Sequence, residues 1–425
     1  MASPTGFSSS VSEAVVRHPA DQAPSWWEQH GVLHRFVCDL THAELTALRR
    51  RPTAHALPWP ENTHLAEDLG ADSLELMALA TRLSEMLHIH EAGIEDYLLA
   101  RLRIDDWTSV ALTSLRRYNT ALTFRTSGSS GQTKPCTHDA SWLWQESLAL
   151  GELFPGRRRL LFAVPSHHIY GFLFTVLLPQ VLDLPADRLI DLRRSSAAAL
   201  PGQLRAGDLV VAHPDYWRTA LTLVPAFPED IVGVTSGAPC PDDIAAGLRA
   251  AGLSRLVQVF GSSETAGLGW RDDETAPYRC FPYWQGPDRD GSMLRHMMDG
   301  TTASFTVQDE LVWKDSRHFL PQGRRDEVVQ VGGKNVSPAH VAQVLRRHPR
   351  VQDASVRLMR PDEGLRLKAF VVPRQDGENT HALADALADW ARDHLTAAER
   401  PSTFTFGPQL PRQNNGKPAD WIIED

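Results

Sequence analysis

Apolar positions recur with different periods along this chain, and the changes of period divide it. Between residues 41 and 116 the period is helical. Leu76, Leu79, Ala80, Leu83 and Leu87 share one face of a segment running from 73 to 87, as in an amphipathic helix. Segments 41–51, 93–102 and 107–115 read as three more helices. From 117 to 323, short apolar runs alternate with helical patterns. Runs 160–164, 208–212, 231–234 and 256–259 have the length and composition of strands covered on both faces. Segment 241–251 reads as a helix, and the alternation predicts an α/β core. Residues 324–425 change again, to an apolar run at 328–331, a helix at 338–347, strands at 354–358 and 368–372, and a helix at 380–395. That order predicts a small α+β unit beginning at a hinge. Residues 1–40 are polar at first and then carry Trp26, Trp27 and the segment Val32 to Phe36; no role is assigned to them.

Composition narrows the class. The chain has 425 residues, 42% hydrophobic and 22% charged, enough for two or three globular domains. A net charge of −9 argues against nucleic acid as a partner. Four cysteines, Cys38, Cys136, Cys240 and Cys280, are scattered without a C-x-x-C pair, the usage of reduced thiols in the cytoplasm, not of a disulfide framework or zinc site. No apolar run approaches the roughly 20 residues of a membrane span. The N-terminus lacks the basic and apolar regions of a signal peptide. No internal repeat is visible.

The chemistry concentrates in a few segments. Residues 126–135 read Thr126-Ser127-Gly128-Ser129-Ser130-Gly131-Gln132-Thr133-Lys134-Pro135, just after the strand-like run 122–124. Such a loop turns several N–H groups and hydroxyls toward one point and adds a cation, which suits a polyphosphate. The Gly-x-x-x-x-Gly-Lys-Ser/Thr loop of GTPases and ATPases is absent. Five further segments follow. They are Pro165-Ser166-His167-His168-Ile169-Tyr170-Gly171, Thr235-Ser236-Gly237-Ala238-Pro239 and Phe260-Gly261-Ser262-Ser263-Glu264-Thr265. Then come Gly323-Arg324-Arg325-Asp326 with Gly332-Gly333-Lys334-Asn335-Val336, and finally Asn415-Gly416-Lys417.

In content and order these six segments resemble the motifs of the adenylate-forming superfamily, which includes acyl-CoA synthetases, adenylation domains of peptide synthetases and luciferases. The His-Ile-Tyr loop is similar to that of coumarate-type CoA ligases. The resemblance implies a carboxylate attacking the α-phosphate of ATP, release of pyrophosphate, and transfer of the acyl group from AMP to a thiol. Charge grows on phosphoryl oxygens, so cations and fixed donors are needed. By resemblance, Thr126, Ser127, Gly128, Ser129, Ser130, Gly131 and Lys134 hold phosphates. Ser236, Gly237 and Ala238, with Phe260, Gly261, Ser262 and Ser263, surround the nucleotide. Glu264 ligates Mg²⁺, a hard ion suited to carboxylate oxygens. His168 faces the acid, and Lys417 bridges the carboxylate and α-phosphate as a mobile point charge. The ribose falls to Arg324 and an aspartate. Asp309 lies at the usual interval and Asp315 lies closer, with Asp315 slightly favoured because Asp309-Glu310 has the look of a turn. The unit after Asp326 is expected to rotate between half-reactions, removing Lys417 and bringing Gly332 and Gly333 to admit a pantetheine arm.

A second resemblance lies upstream. Asp68-Leu69-Gly70-Ala71-Asp72-Ser73-Leu74 is similar to the phosphopantetheine site of acyl carrier proteins, and the four helices between 41 and 116 match that family's bundle in number and order. It implies 4′-phosphopantetheine on Ser73. The same residues also form a helix start, with Asp72 as N-cap and Glu75 completing a capping box. Adenylate-forming enzymes normally carry a much longer segment before the phosphate loop, so the first core subdomain is expected to be truncated.

The expected organisation is thus an N-terminal segment (1–40), a carrier-like four-helix bundle (41–116), a truncated α/β adenylation core (117–323) and a mobile α+β domain (324–425). The expected activity is ATP-dependent ligation of a carboxylic acid to a phosphopantetheine thiol. That thiol is on the chain's own carrier segment, a separate carrier protein or CoA. A non-catalytic scaffold that docks carrier proteins is the alternative, against which Glu264 and Lys417 speak.

Overall fold

A computed structural model describes residues 24–49, 57–126, 134–288, 291–324, 328–375, 379–411 and 420–423. It opens with four helices, α1 (His30–Arg49), α2 (Ser73–Leu87), α3 (Asp96–Ala100) and α4 (Ile104–Leu115). A hairpin follows, β1 (Ala121–Thr126) with β2 (Lys134–Asp139), then α5 (Ala140–Gly151).

Nine strands build the central sheet. Its parallel half holds β3 (Arg159–Phe162), β4 (Leu189–Asp191), β5 (Asp208–Ala212), β6 (Val232–Thr235) and β7 (Arg255–Ser262). The antiparallel half holds β8 (Ala266–Arg271), β9 (Tyr278–Cys280) and, beyond a separate three-stranded sheet within 284–305, β10 (Asp309–Trp313) and β11 (His318–Arg324). The order is β10-β11-β9-β8-β7-β6-β5-β3-β4. A helical stretch starting at Ile169–Phe172 follows β3. Helices α6 (Pro214–Leu223) and α7 (Asp242–Ala250) follow β5 and β6. All five residues of β5 are buried, as a strand covered on both faces requires.

The last unit has the hairpin β12 (Val329–Val331) and β13 (Lys334–Val336), helix α8 (Pro338–Arg346), strands β14 (Val351–Leu358) and β15 (Leu367–Pro373), helix α9 (Thr380–His394) and strand β16 (Thr403–Phe406). No helix among the described residues is long and apolar enough to cross a membrane.

The helices expected at 41–51, 93–102 and 107–115 have different bounds. The first begins at His30 and runs unbroken to Arg49, so the expected boundary between 40 and 41 falls inside α1. Its apolar side is Val32, Leu33, Phe36, Val37 and Leu40, but His34, Arg35 and Asp39 are buried as well. Those polar positions hide the helical stripe from a pattern reading. The helical region also lacks a core of its own. Trp26, Phe36, Leu83 and Trp107 belong to one buried cluster with Phe124, Phe162, Val234 and Phe319 of the hairpin and sheet. The unit from 329 to 406 does have its own core, centred on Val341, Leu345, Val351, Leu367 and Leu387.

Candidate active site

The expected nucleotide segments gather at the carboxyl ends of β3, β6 and β7, where open α/β sheets bind ligands. Beyond β3, the loop 163–168 carries His167 and His168 into the helix at Ile169–Phe172. The Tyr170 hydroxyl donates to the carbonyls of Ala212 (3.0 Å) and Val234 (3.3 Å), tying this helix to the ends of β5 and β6. Beyond β6, Ser236 donates to the Val259 carbonyl at 2.8 Å and so fastens the turn to β7. Phe260 packs against Tyr278 and Phe319 at 5.6 and 5.5 Å between ring centroids. At Gly261 a Cβ would stand 2.1 Å from the Ala266 carbonyl oxygen, so only glycine lets the strand fold back there. The next turn closes on itself through Ser262 Oγ and Thr265 Oγ1 at 3.1 Å.

Two buried side chains absent from the expected set flank Glu264. His138 Nε2–H donates to the Ser263 carbonyl at 2.6 Å. Both Glu146 carboxylate oxygens face the Gly267 N–H, at 2.9 and 3.0 Å. Burial pushes the Glu146 carboxyl up to about 7, against the opposing pull of Arg295 and of the Gly267 and Tyr283 hydrogen bonds. Sequence offered a partial signal for His138, which lies four residues beyond Lys134. Glu146 sits between Gln145 and Ser147 on α5 and showed none.

The His168 side chain is open to solvent, next to the buried Ser166 and His167. Desolvation, reinforced by the Lys334 ammonium, pushes its imidazole down to about 4. The adjacent His167 ring, 4.2 Å away between centroids, is buried and also pushed well down. Lys334 belongs to the last unit. Gly332 and Gly333 form the two-residue link between β12 and β13, with φ of 56° and 75°, the left-handed pair that such a hairpin needs. A Cβ on Gly332 would stand 3.8 Å from Asp215 Oδ2 of α6. The glycine hairpin therefore lies against the core beside the histidine loop.

Phosphate-loop residues Ser127, Gly128, Ser129, Ser130 and Gly131 lie outside the described residues, but the strands framing them pair, Thr126 opposite Lys134. Asp326 and Lys417 also lie outside. The chain just beyond Lys417 is pinned to the last unit. Lys368 Nζ donates to the Trp421 carbonyl at 2.7 Å, and Arg360 Nη1 to Asp420 Oδ2 at 2.6 Å.

The two ribose candidates separate. The Asp315 carboxylate accepts from the N–H groups of Arg317 and His318 at 2.7 and 2.8 Å and pairs with the His318 ring at 2.8 Å. The Arg317 hydrogen bond leads in holding it below the usual range. Asp315 is thus the turn residue that Asp309 was expected to be. Asp309 lies on β10 directly across from Arg324.

Ser73 is the exposed first residue of α2. Asp72 Oδ1 accepts from Leu74 and Glu75 N–H at 2.9 and 2.8 Å, and Glu75 Oε2 from Asp72 N–H at 3.1 Å, the expected capping box. Arg49 of α1 clamps this start through Glu75, Leu69 O and Gly70 O.

Residues 340–417 match the AMP-binding enzyme C-terminal domain. A 4-coumarate–CoA ligase of Cereibacter sphaeroides is 38% identical over 387 residues, 89% of this chain and 90% of that protein. One from Rhodobacter capsulatus is 36% identical over 92% of this chain and 100% of its own length. Among solved structures, an o-succinylbenzoate CoA synthetase from Bacillus subtilis shares the fold with a TM-score of 0.60 at 15% identity, covering 93% of this chain and 97% of the other. The chain therefore belongs to the adenylate-forming superfamily, as an AMP-forming acid–thiol ligase of the 4-coumarate–CoA ligase family.

Proposed function

We propose that the protein activates an aryl carboxylic acid of the 4-hydroxycinnamate kind with ATP and transfers it to the thiol of CoA. The observation that carries this reading is the meeting of the histidine loop, the Ser236 and Glu264 turns and the glycine hairpin at one end of the sheet, in a chain whose relatives are named 4-coumarate–CoA ligases.

In the first half-reaction the acid lies beside His168. That imidazole is neutral at working pH, so it hydrogen-bonds the substrate carboxylate without competing as a cation. The carboxylate attacks the α-phosphate and pyrophosphate leaves. Lys134 and the hydroxyls from Thr126 to Ser130 hold the phosphates, and Lys417 stabilises the charge growing between acid and α-phosphate. Ribose falls to Asp309 and Arg324, which face each other across their hairpin. No cluster of three or more His, Cys, Asp or Glu side chains that could hold a metal occurs among the described residues. A Mg²⁺ ion would therefore take Glu264 together with phosphate oxygens and water, the usual habit of this ion; it would neutralise phosphate charge. In the second half-reaction the thiol attacks the acyl carbonyl and AMP leaves, with Gly332 and Gly333 flanking the pantetheine arm. Asp326 is the hinge between the two arrangements. The four cysteines are free, which fits a reducing, cytoplasmic setting.

A second acceptor has one observation in its favour. Beside the exposed Ser73, Leu74 and Met77 are 75% and 55% exposed, an apolar surface at a capped helix start that a modifying enzyme or carrier protein can reach. Against it, relatives spanning the same region are named CoA ligases.

The test is pyrophosphate release and thioester formation over a panel of acids, with CoA as acceptor, beside intact mass after treatment with a phosphopantetheinyl transferase. Expected are turnover with hydroxycinnamates, thioester on CoA and no added mass. No acid-dependent pyrophosphate release from any aryl acid contradicts the reading. Added mass on Ser73 moves the acceptor onto the chain.

A further inference from the structure

Asp39 belongs to none of the six motifs and sits on α1, more than 120 residues before His168. It is 1% exposed. Its Oδ2 accepts from both the backbone N–H and the Oγ of Ser166, each at 2.7 Å. Its Oδ1 accepts from Arg193 Nη1 at 2.9 Å. Arg193 also holds Asp191, at the end of β4, through Nε (2.8 Å) and Nη2 (2.6 Å). One turn earlier on the same helix, Arg35 donates to Thr175 Oγ1 (3.0 Å) and to the Thr175 carbonyl (2.7 Å). Both guanidinium groups stand over the Phe162 ring, at 4.6 and 5.6 Å.

These contacts have one target. Phe162 ends β3, Ser166 lies within the histidine loop and Thr175 lies in the helix that follows it. Helix α1 therefore grips the segment from 162 to 175 before, within and after the loop, and His168 stands between the grips. Two carboxylates and two guanidinium groups balance charge locally, so the buried set is compensated. A purely structural ion pair has no need to hold a loop N–H. Here two of the three hydrogen bonds that the Asp39 carboxylate accepts among the described residues come from Ser166, two residues from His168, and a carboxylate is the side chain that accepts from an N–H, a hydroxyl and a guanidinium together.

We propose that Asp39 is a positioning residue for adenylate formation, which through Ser166 fixes the loop that presents His168 to the acid. The N-terminal helix is then a working part of the active site and fills part of the place left by the truncated first subdomain. The proposal rests on the reading that His168 faces the reacting carboxylate.

Acid-dependent ATP–pyrophosphate exchange, with active-site titration and thermal melts, tests it on Asp39→Asn, Ser166→Ala, their combination and His168→Ala. In folded Asp39→Asn, kcat per active site is expected to fall about 100-fold while KM for ATP stays put, because a misplaced group loses orientation and not nucleotide binding. Ser166→Ala keeps its N–H bond and should lose about 5- to 10-fold. The combination should match Asp39→Asn alone, since both act through one contact. Wild-type kcat per site in folded Asp39→Asn, or losses that multiply in the combination, overturns the proposal. If Asp39→Asn does not fold, wild-type kcat in Ser166→Ala overturns it. Wild-type kcat in His168→Ala defeats the underlying reading, whereas loss there with none in the other variants defeats only the role of Asp39.

Discussion

The helices before residue 116 and the unit after residue 328 are joined to the central sheet by different means. The helices share one continuous apolar core with the sheet, from Trp26 through Phe162 to Phe319, and buried polar bonds such as Asp39–Ser166 and Arg35–Thr175 cross the junction. The last unit keeps its own core around Val341, Leu345 and Leu367. It approaches Asp215 of α6 with a hairpin whose tip residues Gly332, Gly333 and Lys334 are exposed, and the Lys334 charge is felt at His168. A body with a private core can turn without unpacking anything, whereas one that shares a core cannot. The difference teaches which part is packed into the sheet and which, under the proposed two-step reaction, is free to alternate. The helical region is bonded to the loop that carries His168, through Asp39 and Ser166. The last unit carries both the glycine hairpin and the pinned segment beyond Lys417, so one body holds the groups proposed for opposite half-reactions.

Breaking the two cores separately gives the largest expected effect. Phe36 and Leu345 are both fully buried, in the shared and the private core respectively. Phe36→Ala should cost about 3–5 kcal/mol and Leu345→Ala about 2–5 kcal/mol. In denaturant melts followed by a probe in each region, Phe36→Ala should lower the sheet's transition and leave that of the last unit in place, with the converse for Leu345→Ala. Parallel shifts of both transitions in both variants would erase the contrast.

Acidity sharpens it with a smaller effect. Glu146, in the shared core, has its carboxyl raised to about 7 by burial. A carboxyl raised on folding binds its proton more tightly in the folded state, so stability declines as pH rises from the unfolded value toward 7. Asp420, in the last unit, moves the other way. Burial opposes the shift, but the Lys368 hydrogen bond and charge prevail and take it to about 2. That contribution is present above the ordinary aspartate range and is lost as pH falls toward 2. Raising pH from 5 to 8 should therefore weaken the sheet's transition and spare the last unit's. Glu146→Gln should remove that slope, at most about 3 kcal/mol. An unchanged slope in Glu146→Gln would assign it to another group.

Much of this was legible in sequence because strands buried on both faces are short apolar runs. The runs at 208–212 and 256–259 fall within β5 and β7. The α+β order of the last unit was legible for the same reason. The antiparallel half of the sheet was not, since β8 reads Ala-Gly-Leu-Gly-Trp-Arg and its glycines are there for close approach to Glu146, Phe281 and Arg279. The start of α1 was hidden by buried His34, Arg35 and Asp39, of which Arg35 and Asp39 join the helix to the histidine loop and the helix after it. At the site, motif order placed the nucleotide turns along the chain, but the local look of Asp309-Glu310 as a turn misjudged that pair, which lies on β10 while Asp315 makes the turn. Strand register, which pairs Asp309 with Arg324, cannot be counted from spacing alone.

The most direct test separates the half-reactions in Lys417→Ala. If the last unit alternates as a body, this variant loses acid-dependent pyrophosphate release about 100-fold or more, yet transfers the acyl group from a supplied aryl-adenylate to CoA at close to the wild-type rate. Equal loss of both half-reactions would contradict the account, because the lysine and the glycine hairpin would then be serving one fixed arrangement.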